Sequence, residues 1–580
     1  MLYPFSLRLP LLAALLLLPG QAWSEEPPTP LARYMPSGAI AAVEGRGWDE
    51  IITRLEHSEF LEQVLASPTF KAFDNSPPGR KLRGGIAVVQ FQYGKDLWSL
   101  ARDVLGGEWI LAIYPQESGK QPNGVFLIRA TSPDIVSHLR TRLEPLVQLT
   151  GDKVTSEELD GGGLRLANVD DSALVLQDRW IIGGNRRSLV DQIESALQSA
   201  PQSSLASTES YASSVQRIGA DTRLQLWIDY QRLREHEQKD RLLPDKLDNP
   251  LVSLFLGGVV EYIAQASTVS AGLDITADGW ELHAFVPGQP ESIDAAHQTL
   301  LPPAPSDSAT RLGEQVARLS LSRDWAAWYG QREALLEEKL LPEFDKFETG
   351  LANLMPGKDF RADILPLLSK RLQIVSAPQS FAQLEGRPGV QLPAFALIME
   401  LEQPEPATDL LQMLFQTITA VINLQAGQEK RTPWVVSSET YHDVQISFAK
   451  YLQKPKGTDL GIAYNFQPSS ARVGRHFIMA TSQELCRQLI DALQSSAELP
   501  PASTTDRPDW AFELAPTVVA DLLESNRAVL EAKTVQNGQT PEQATQILND
   551  GVRLLRHLRP LSLSSSLQPA GYVWRFQGGW

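Results

Sequence analysis

The chain has 580 residues and a formal net charge of −17, with 52 basic and 69 acidic side chains. An acidic chain repels phosphate groups, which argues against nucleic acid as a partner. A single cysteine excludes an intramolecular disulfide and any Cys-x-x-Cys metal site, while a 43% share of apolar residues is enough for hydrophobic cores.

The first 24 residues have the pattern of a secretory signal peptide. An apolar stretch at 9–18 follows a basic residue, and Ala22-Trp23-Ser24 has the small-x-small pattern of a cleavage site. The stretch is too short for a membrane span of ~20 residues, although an uncleaved anchor is the alternative. We predict cleavage after Ser24, a linker at 25–34, a periplasmic or secreted mature protein, and no transmembrane segment after cleavage.

The next part of the chain predicts alternating strands and helices. In chain order, we expect a strand at 38–45, a long helix at 48–67, a strand at 84–92 and a helix at 96–105. Two strands, a helix, two hairpins and a final helix follow, up to residue 198.

That final helix belongs to a phrase that occurs twice. "RWIIGGNRRSLVDQIESALQSA" at 179–200 recurs without a gap as "RHFIMATSQELCRQLIDALQSS" at 475–496. Leu189 and Leu197, with Leu485 and Leu493 at the matching positions, have the four-residue spacing of one helix face, so we expect them in hydrophobic cores. Cys486, on the same apolar stripe, is expected to be a core residue and not a reactive thiol.

Further matches occur in the same order along both halves. "EWILAIYP" (108–115) corresponds to "RLQIVSAP" (371–378), and "VTSEELDGGGLRL" (154–166) corresponds to "VSSETYHDVQISF" (436–448). The repeated unit is far longer than the 20–50 residues of a solenoid repeat. The sequence therefore predicts a tandem duplication of one module.

The expected fold class is α+β, with two homologous modules of mixed or antiparallel sheets packed by amphipathic helices. Each module has a larger part and a smaller C-terminal α+β part. The predicted ranges are module 1 at 35–297 (larger part 35–198, smaller part 213–290), a Pro-rich linker at 298–311, and module 2 at 312–580 (larger part 312–494, smaller part 508–578).

The start of the first module carries three recognisable phrases: the strand after a Pro turn in "RYMPSGAIAAVEG", the pair Trp48-Asp49, and "FLEQVLASPTFKAF". In these features the chain resembles exported bacterial proteins that share a domain of unknown function. The resemblance extends over most of the mature chain. It implies an envelope protein without an assigned role, and it carries over no site residue.

No catalytic or metal-binding pattern is present. "SFAK" at 447–450 matches Ser-x-x-Lys, but it falls on an alternating strand, where residues three apart point to opposite faces. "DGGGLRL" (160–166) lacks the Lys-Ser/Thr of a phosphate loop, and "DITADG" (274–279) lacks the final Glu of a calcium loop. The histidines show no zinc-protease spacing: His57, His138, His236, His283, His297, His442, His476 and His557.

We therefore predict no catalytic, cofactor-binding or metal-binding residues and no cofactor. The leading hypothesis is a non-enzymatic exported protein that serves binding, scaffolding or assembly, with a protein or another cell-envelope component as its partner. The alternative is a periplasmic hydrolase that uses carboxylate chemistry in the groove between the modules, because Asp and Glu are abundant.

The signal peptide gives the first testable prediction. Chain recovered from fractionated cells should begin at Glu25, since the small residues at the cleavage site are what a signal peptidase recognises. N-terminal sequencing measures this directly. A product beginning at Met1 would contradict it.

Overall fold

The computed structural model describes most of the chain after residue 29. The predicted signal peptide, part of the predicted 25–34 linker and most of the predicted 298–311 linker lie outside the described residues. The described ranges are 30–115, 122–149, 154–199, 201, 203–219, 222–276, 279–301, 310–382, 384–428, 432–451, 459–497 and 508–580. They form two compact units. The first comprises the chain up to Leu242 with Ala266–Pro287, and the second comprises Leu243–Gln265 with Gly288–Trp580.

The first unit has one antiparallel sheet. Along the sheet the strand order is β4-β5-β6-β7-β3-β2-β1-β8-β9-β10. Its strands are β1 (Ala41–Arg46), β2 (Glu108–Tyr114), β3 (Asn123–Arg129), β4 (Val154–Leu159), β5 (Gly163–Asn168), β6 (Ala173–Gln177), β7 (Trp180–Gly184), β8 (Leu224–Asp229), β9 (Thr268–Ile275) and β10 (Gly279–Pro287).

Helices connect and cover these strands. The helices of the first unit are α1 (Asp49–Glu56), α2 (Glu59–Ala66), α3 (Pro68–Asn75), α4 (Pro77–Tyr93), α5 (Leu97–Leu105), α6 (Pro133–Leu149), α7 (Arg187–Gln198), α8 (Glu209–Ile218) and α9 (Tyr230–Glu237). The expected α+β class is confirmed.

Two expectations within this unit are wrong. The predicted strand at 84–92 lies inside α4, because Ser76 caps a helix that starts at Pro77 and Gly94 ends it with a φ of 78°. An apolar run bounded by a serine cap and a left-handed glycine fits a helix as well as a strand. The single long helix at 48–67 is divided, since the Ser58 hydroxyl accepts the Leu61 N–H at 3.1 Å and starts α2.

The second unit also has one antiparallel sheet, in the order β15-β16-β18-β19-β14-β12-β11-β20-β21-β22. A separate parallel pair is formed by β13 and β17. The strands are β11 (Ala317–Ser322), β12 (Leu368–Ala377), β13 (Arg387–Pro388), β14 (Ala394–Leu401), β15 (Trp434–Tyr441), β16 (Val444–Tyr451), β17 (Asp459–Leu460), β18 (Ser469–Val473), β19 (His476–Ala480), β20 (Trp510–Leu514), β21 (Leu561–Gln568) and β22 (Gly571–Gly579).

The helices of the second unit begin with one that precedes β9 in the sequence. They are α10 (Pro250–Gln265), α11 (Ala295–Gln298), α12 (Trp325–Gly330), α13 (Arg332–Leu335), α14 (Leu341–Leu354), α15 (Pro404–Gln428), α16 (Gln483–Ala497), α17 (Pro516–Ser525), α18 (Arg527–Gln536) and α19 (Pro541–His557). A π-helical turn at Phe360–Ile364 separates α14 from β12.

Helix α10 lies in the second unit, whereas the sequence places its residues in module 1. The physical reason is its packing. A Cβ on Gly258 would lie 2.8 Å from the Leu300 carbonyl oxygen and 2.9 Å from the Tyr572 hydroxyl, and one on Gly257 would lie 3.0 Å from the Leu300 side chain, so these two glycines allow the close approach of this helix to its neighbours. The order of residues along the chain does not reveal that a helix packs in a different unit from the segments before and after it.

The repeated phrase forms equivalent elements in both units. β7 and α7 hold the first copy, and Leu189 and Leu197 are half-buried against the core of the first unit. β19 and α16 hold the second copy, where Leu485, Cys486 and Leu493 are buried in the core. The expected core positions are therefore confirmed.

The strands of the two sheets follow the same spatial order. If β11, β12 and β14 are matched with β1, β2 and β3, every later strand of the large sheets has a counterpart in the same place. A common origin of the two halves, and the module boundaries derived from it, stay predictions.

Within the described ranges, no helix combines the length and the apolar character that crossing a membrane requires.

Truncating the core leucine of α16 tests this packing. Leu493 is 6% exposed, so Leu493→Ala should lower the free energy of unfolding of the second unit by about 2–5 kcal/mol. Ser495→Ala, at an exposed position of the same helix, is the control. Urea denaturation measures both, and equal small losses in the two variants would show that the helix face is misassigned.

Candidate ligand-binding site

The second unit contains a cavity of about 440 Å³ with a largely apolar lining. This volume is within the roughly 300–1,000 Å³ of ordinary small-molecule sites. Aromatic and aliphatic side chains supply most of its wall, and three polar residues complete it. The lining residues are Pro250, Trp325, Trp328, Tyr329, Glu343, Phe344, Phe347, Phe360, Leu365, Leu368, Ser369, Arg371, Leu372 and Met399.

The floor of the cavity is the sheet. Leu372 on β12 and Met399 on β14 are directly paired, so their side chains lie on the same face. Both belong to a cluster with Phe477 and with Leu411 of α15, which holds the floor in place.

Short helices form the opposite wall. The Asp324 carboxylate caps α12 by accepting the Ala327 N–H at 2.9 Å, which sets the start of the helix that carries Trp325, Trp328 and Tyr329. Phe344 and Phe347 are three residues apart on α14 and therefore share one face. In α14, all of whose residues are described, no side chain is fully buried, and Phe344 and Leu351 are partly buried against neighbouring hydrophobic clusters.

The aromatic rings contact one another at their edges. The ring centroid of Tyr329 lies 5.0 Å from that of Phe360 and 5.7 Å from that of Phe344. The ring centroids of Phe347 and Phe360 are 4.9 Å apart, and all three pairs are T-shaped. Edge-to-face pairs of this kind are favourable and directional. The rings thus support each other around the cavity.

The polar ends of two lining residues bond to groups that do not line the cavity. The Trp328 indole N–H donates to the Ser253 hydroxyl at 3.3 Å, and the Tyr329 hydroxyl donates to Glu348 Oε1 at 2.5 Å. Burial, with this carboxylate beside it, raises the pKa of Tyr329 far above its usual range. The rings therefore present apolar surface to the cavity.

The cavity has an exposed residue at its mouth. Phe347 is 48% exposed, and Glu343, one turn earlier on α14, is also exposed. A large aromatic side chain half in water therefore borders the apolar cavity on its solvent side.

No sequence pattern indicated a site here, and none of the lining residues was predicted. Each was assignable only to a helix or strand core. Aromatic residues at helical spacing, such as Phe344 and Phe347, are the one signal that was present, but that pattern equally describes a core-facing helix.

Among the described residues, none of those in the sequence motifs lines the cavity. Ser447 and Lys450 lie on β16, as expected, and Lys450 is placed over the Phe448 ring at 5.7 Å. Cys486 is fully buried, and burial raises the pKa of its thiol to about 12. The carboxylates needed for a hydrolase do not meet in the cavity, since Glu343 is the only one among its described lining residues.

One histidine has an environment that the sequence did not reveal. His297 Nδ1 lies 2.6 Å from Asp294 Oδ2, and its Nε2 lies 3.1 Å from the Asp245 carbonyl oxygen and 3.7 Å from buried Glu261 Oε2. These three acidic and imidazole side chains are close enough to share a metal ion. Both ring nitrogens already have protein partners, so the hydrogen bonds of His297 join α11 to its N-cap Asp294 and to Asp245 before α10, with Glu261 of α10 at ion-pair distance.

A second buried polar group lies at the start of β20. The Tyr572 hydroxyl donates to Asp509 Oδ2 at 3.3 Å, and Arg323 is buried beside both. Burial raises the pKa of Asp509 to about 6, although Arg323 opposes the rise. Burial also lowers the pKa of Arg323.

Comparison with known proteins adds little. No protein-family model matches the chain, and no curated protein matches it. Two solved structures of TP0453 show low similarity. Crystal form IV has 9% identity and a TM-score of 0.24 over 44% of this chain and 80% of that chain, and crystal form I has 8% and 0.23 over 45% and 80%. Similarity at this level supports no inference about fold or function.

The Asp509 carboxyl predicts a pH dependence of stability. Between about pH 4 and pH 6 the folded state keeps this proton while the unfolded state loses it, so stability falls as pH rises through this window. Wild-type protein should lose on the order of 1–3 kcal/mol relative to Asp509→Asn across it. Urea denaturation of both proteins at several pH values measures the stability of the wild type relative to Asp509→Asn. If this relative stability stays constant or rises with pH, the raised pKa of Asp509 is wrong.

Proposed function

We propose that this is a non-enzymatic exported protein that binds an apolar small molecule in the aromatic-lined cavity of its second unit. The single observation that carries the proposal is the cavity itself, a solvent-open space of about 440 Å³ lined mostly by tryptophan, phenylalanine, leucine and methionine side chains. Apolar surface of this extent gains free energy when a ligand removes it from water, at about 25 cal/mol per Å².

The composition of the wall favours binding over catalysis. The described lining residues include one carboxylate, one serine and one arginine, but no histidine or cysteine. Nucleophilic and general acid–base catalysis need an activated pair of such groups within hydrogen-bond reach. A wall with isolated polar groups serves to orient a ligand.

The predicted export fits this role. A binding protein for apolar molecules in the cell envelope keeps them out of water between two membranes or outside the cell. The expected envelope partner of the sequence analysis then becomes a small apolar ligand, and a scaffolding role is not required.

Binding is tested with N-phenyl-1-naphthylamine, whose fluorescence rises in apolar surroundings. The mature wild-type chain should bind the probe saturably. Leu372→Trp, which fills the floor, and Phe347→Glu, which puts a charge at the mouth, should each weaken binding about tenfold or more. Fluorescence titration measures the dissociation constants.

The matched control is Phe73→Glu in the first unit, since Phe73 has a similar exposure of 44% and does not line the cavity. It should leave the affinity unchanged. Equal affinities in all four proteins, or no saturable binding to the wild type, would show that the cavity is not a ligand site.

A further inference from the structure

The floor of the cavity continues beyond its walls on the same face of the sheet. Leu372 and Met399 form one cross-strand pair of the floor, and the next pair on this face is Ile374 with Leu397. Ile374 does not line the cavity and is 40% exposed. The apolar face of the sheet that forms the floor therefore continues beyond the helices, where it is exposed to solvent.

From this pair an apolar row crosses the sheet in register. Ile374 pairs with Leu319, Leu319 with Phe512, Phe512 with Leu563, and Leu563 with Phe576, while Leu397 pairs with Met479 on the other side. We call these seven residues the apolar row: Met479, Leu397, Ile374, Leu319, Phe512, Leu563 and Phe576.

The apolar row is in contact with solvent. Phe512 is 37% exposed, and Leu319, Leu397 and Leu563 are partly exposed. The side chains next to the row on the same face are also uncharged: Phe477, Phe395, Met399, Leu372, Ser376, Ala317, Leu321, Trp510, Leu514, Leu561, Ser565 and Trp574.

The other face of the same strands differs. There Arg318 pairs with Glu513, and Val375, Ile398 and Ile478 are buried under α16. An antiparallel sheet with one covered face normally presents polar side chains on the other. This sheet presents an apolar strip instead, and its continuity with the cavity indicates one common occupant.

The dimensions of the row identify that occupant. Strands are spaced ~4.8 Å apart, so the part of the row from Ile374 to Phe512 extends roughly 10 Å from the edge of the cavity. One lipid acyl chain fills half of the ~30 Å hydrocarbon core of a bilayer, which is about 15 Å, so it can span this part of the row with its end in the cavity. An acyl chain is flexible and uncharged, so it can follow the row and place its end in the cavity.

We infer that the ligand is a lipid with a long acyl chain, held at one end in the cavity and along its remaining length on the apolar row from Ile374 to Phe512. The inference rests on the proposed function, because it extends the same site. The acidic chain, with a net charge of −17, disfavours an anionic head group, so the head group is neutral or zwitterionic.

The test compares lysophosphatidylcholines with octanoyl, lauroyl and stearoyl chains, used below their critical micelle concentrations to displace N-phenyl-1-naphthylamine. In the wild type the affinity should rise with chain length. Ile374→Ser, next to the floor, should weaken the lauroyl and stearoyl lipids about tenfold, and Phe512→Ser, two strands further, should weaken only the stearoyl lipid.

Neither variant should change the affinity for the octanoyl lipid, and Phe73→Ser should change none of the three. Both substituted side chains are well exposed, and circular dichroism checks that the variants fold. Since two independent variants report on the row, failure of one to fold leaves the other as the test.

The outcomes separate the two proposals. If the stearoyl lipid displaces the probe equally from wild type and both row variants, the row is not part of the site and the cavity alone binds. If the probe itself does not bind the wild type, no displacement can be measured and the proposed function is wrong as well. A dimer in sedimentation velocity that Phe512→Ser dissociates, without a change in stearoyl affinity, would assign the row to a second copy of the chain and overturn the inference.

Discussion

Around β14 and β19 the sheet of the second unit is apolar on both faces, and each face needs a cover that removes it from water. On one face α16 supplies the cover, with Leu485, Leu489 and Leu493 packed on the strands. On the other face α15 covers the part around Phe477 and Met399. The short helices before β12 extend over only the next part of this face. The cavity and the open row both follow from this incomplete cover, because within the described ranges part of an apolar face has no side-chain layer above it.

The aromatic wall explains how such a space persists. A sealed apolar void costs about 24 cal/mol per Å³, so one of 440 Å³ would cost on the order of 10 kcal/mol, as much as the whole stability of a typical domain. An opening beside Phe347 avoids this cost by admitting solvent or a ligand. Edge-to-face contacts of Tyr329 with Phe344 and Phe360 hold the rings apart, which opposes collapse of the wall onto the floor.

In each unit, the first strand along the chain, which is central in the sheet, carries a buried charged residue. In the first unit Glu44 on β1 accepts the Leu31 N–H at 3.0 Å and the Tyr211 hydroxyl at 2.8 Å. In the second unit Arg318 on β11, the strand in the same position, pairs with Glu513. Each charge has partners, as burial requires. These groups connect the central strand to elements distant in sequence, so that a slipped register would leave a charge unpaired.

Sequence periodicity determined the local structure wherever a pattern of apolar residues fits only a strand or only a helix. The two copies of the strand–helix phrase, the hairpins and the α+β class follow from alternation at period two and from leucines four residues apart, and these are properties of neighbouring residues. The stretch at 84–92 shows the limit, because its apolar run fits either a strand or a helix, and the caps at Ser76 and Gly94 decided it.

The tertiary structure alone decided where α10 packs, what surrounds His297, and that a cavity exists. Its lining comes from Pro250 on α10, from α12 and α14, and from β12 and β14, segments separated by up to about half the second unit in sequence. Each aromatic residue in this wall has the same sequence pattern whether it packs against protein or faces an empty space. Periodicity tells which side of an element is apolar, but only the positions of the other elements decide whether that side is covered.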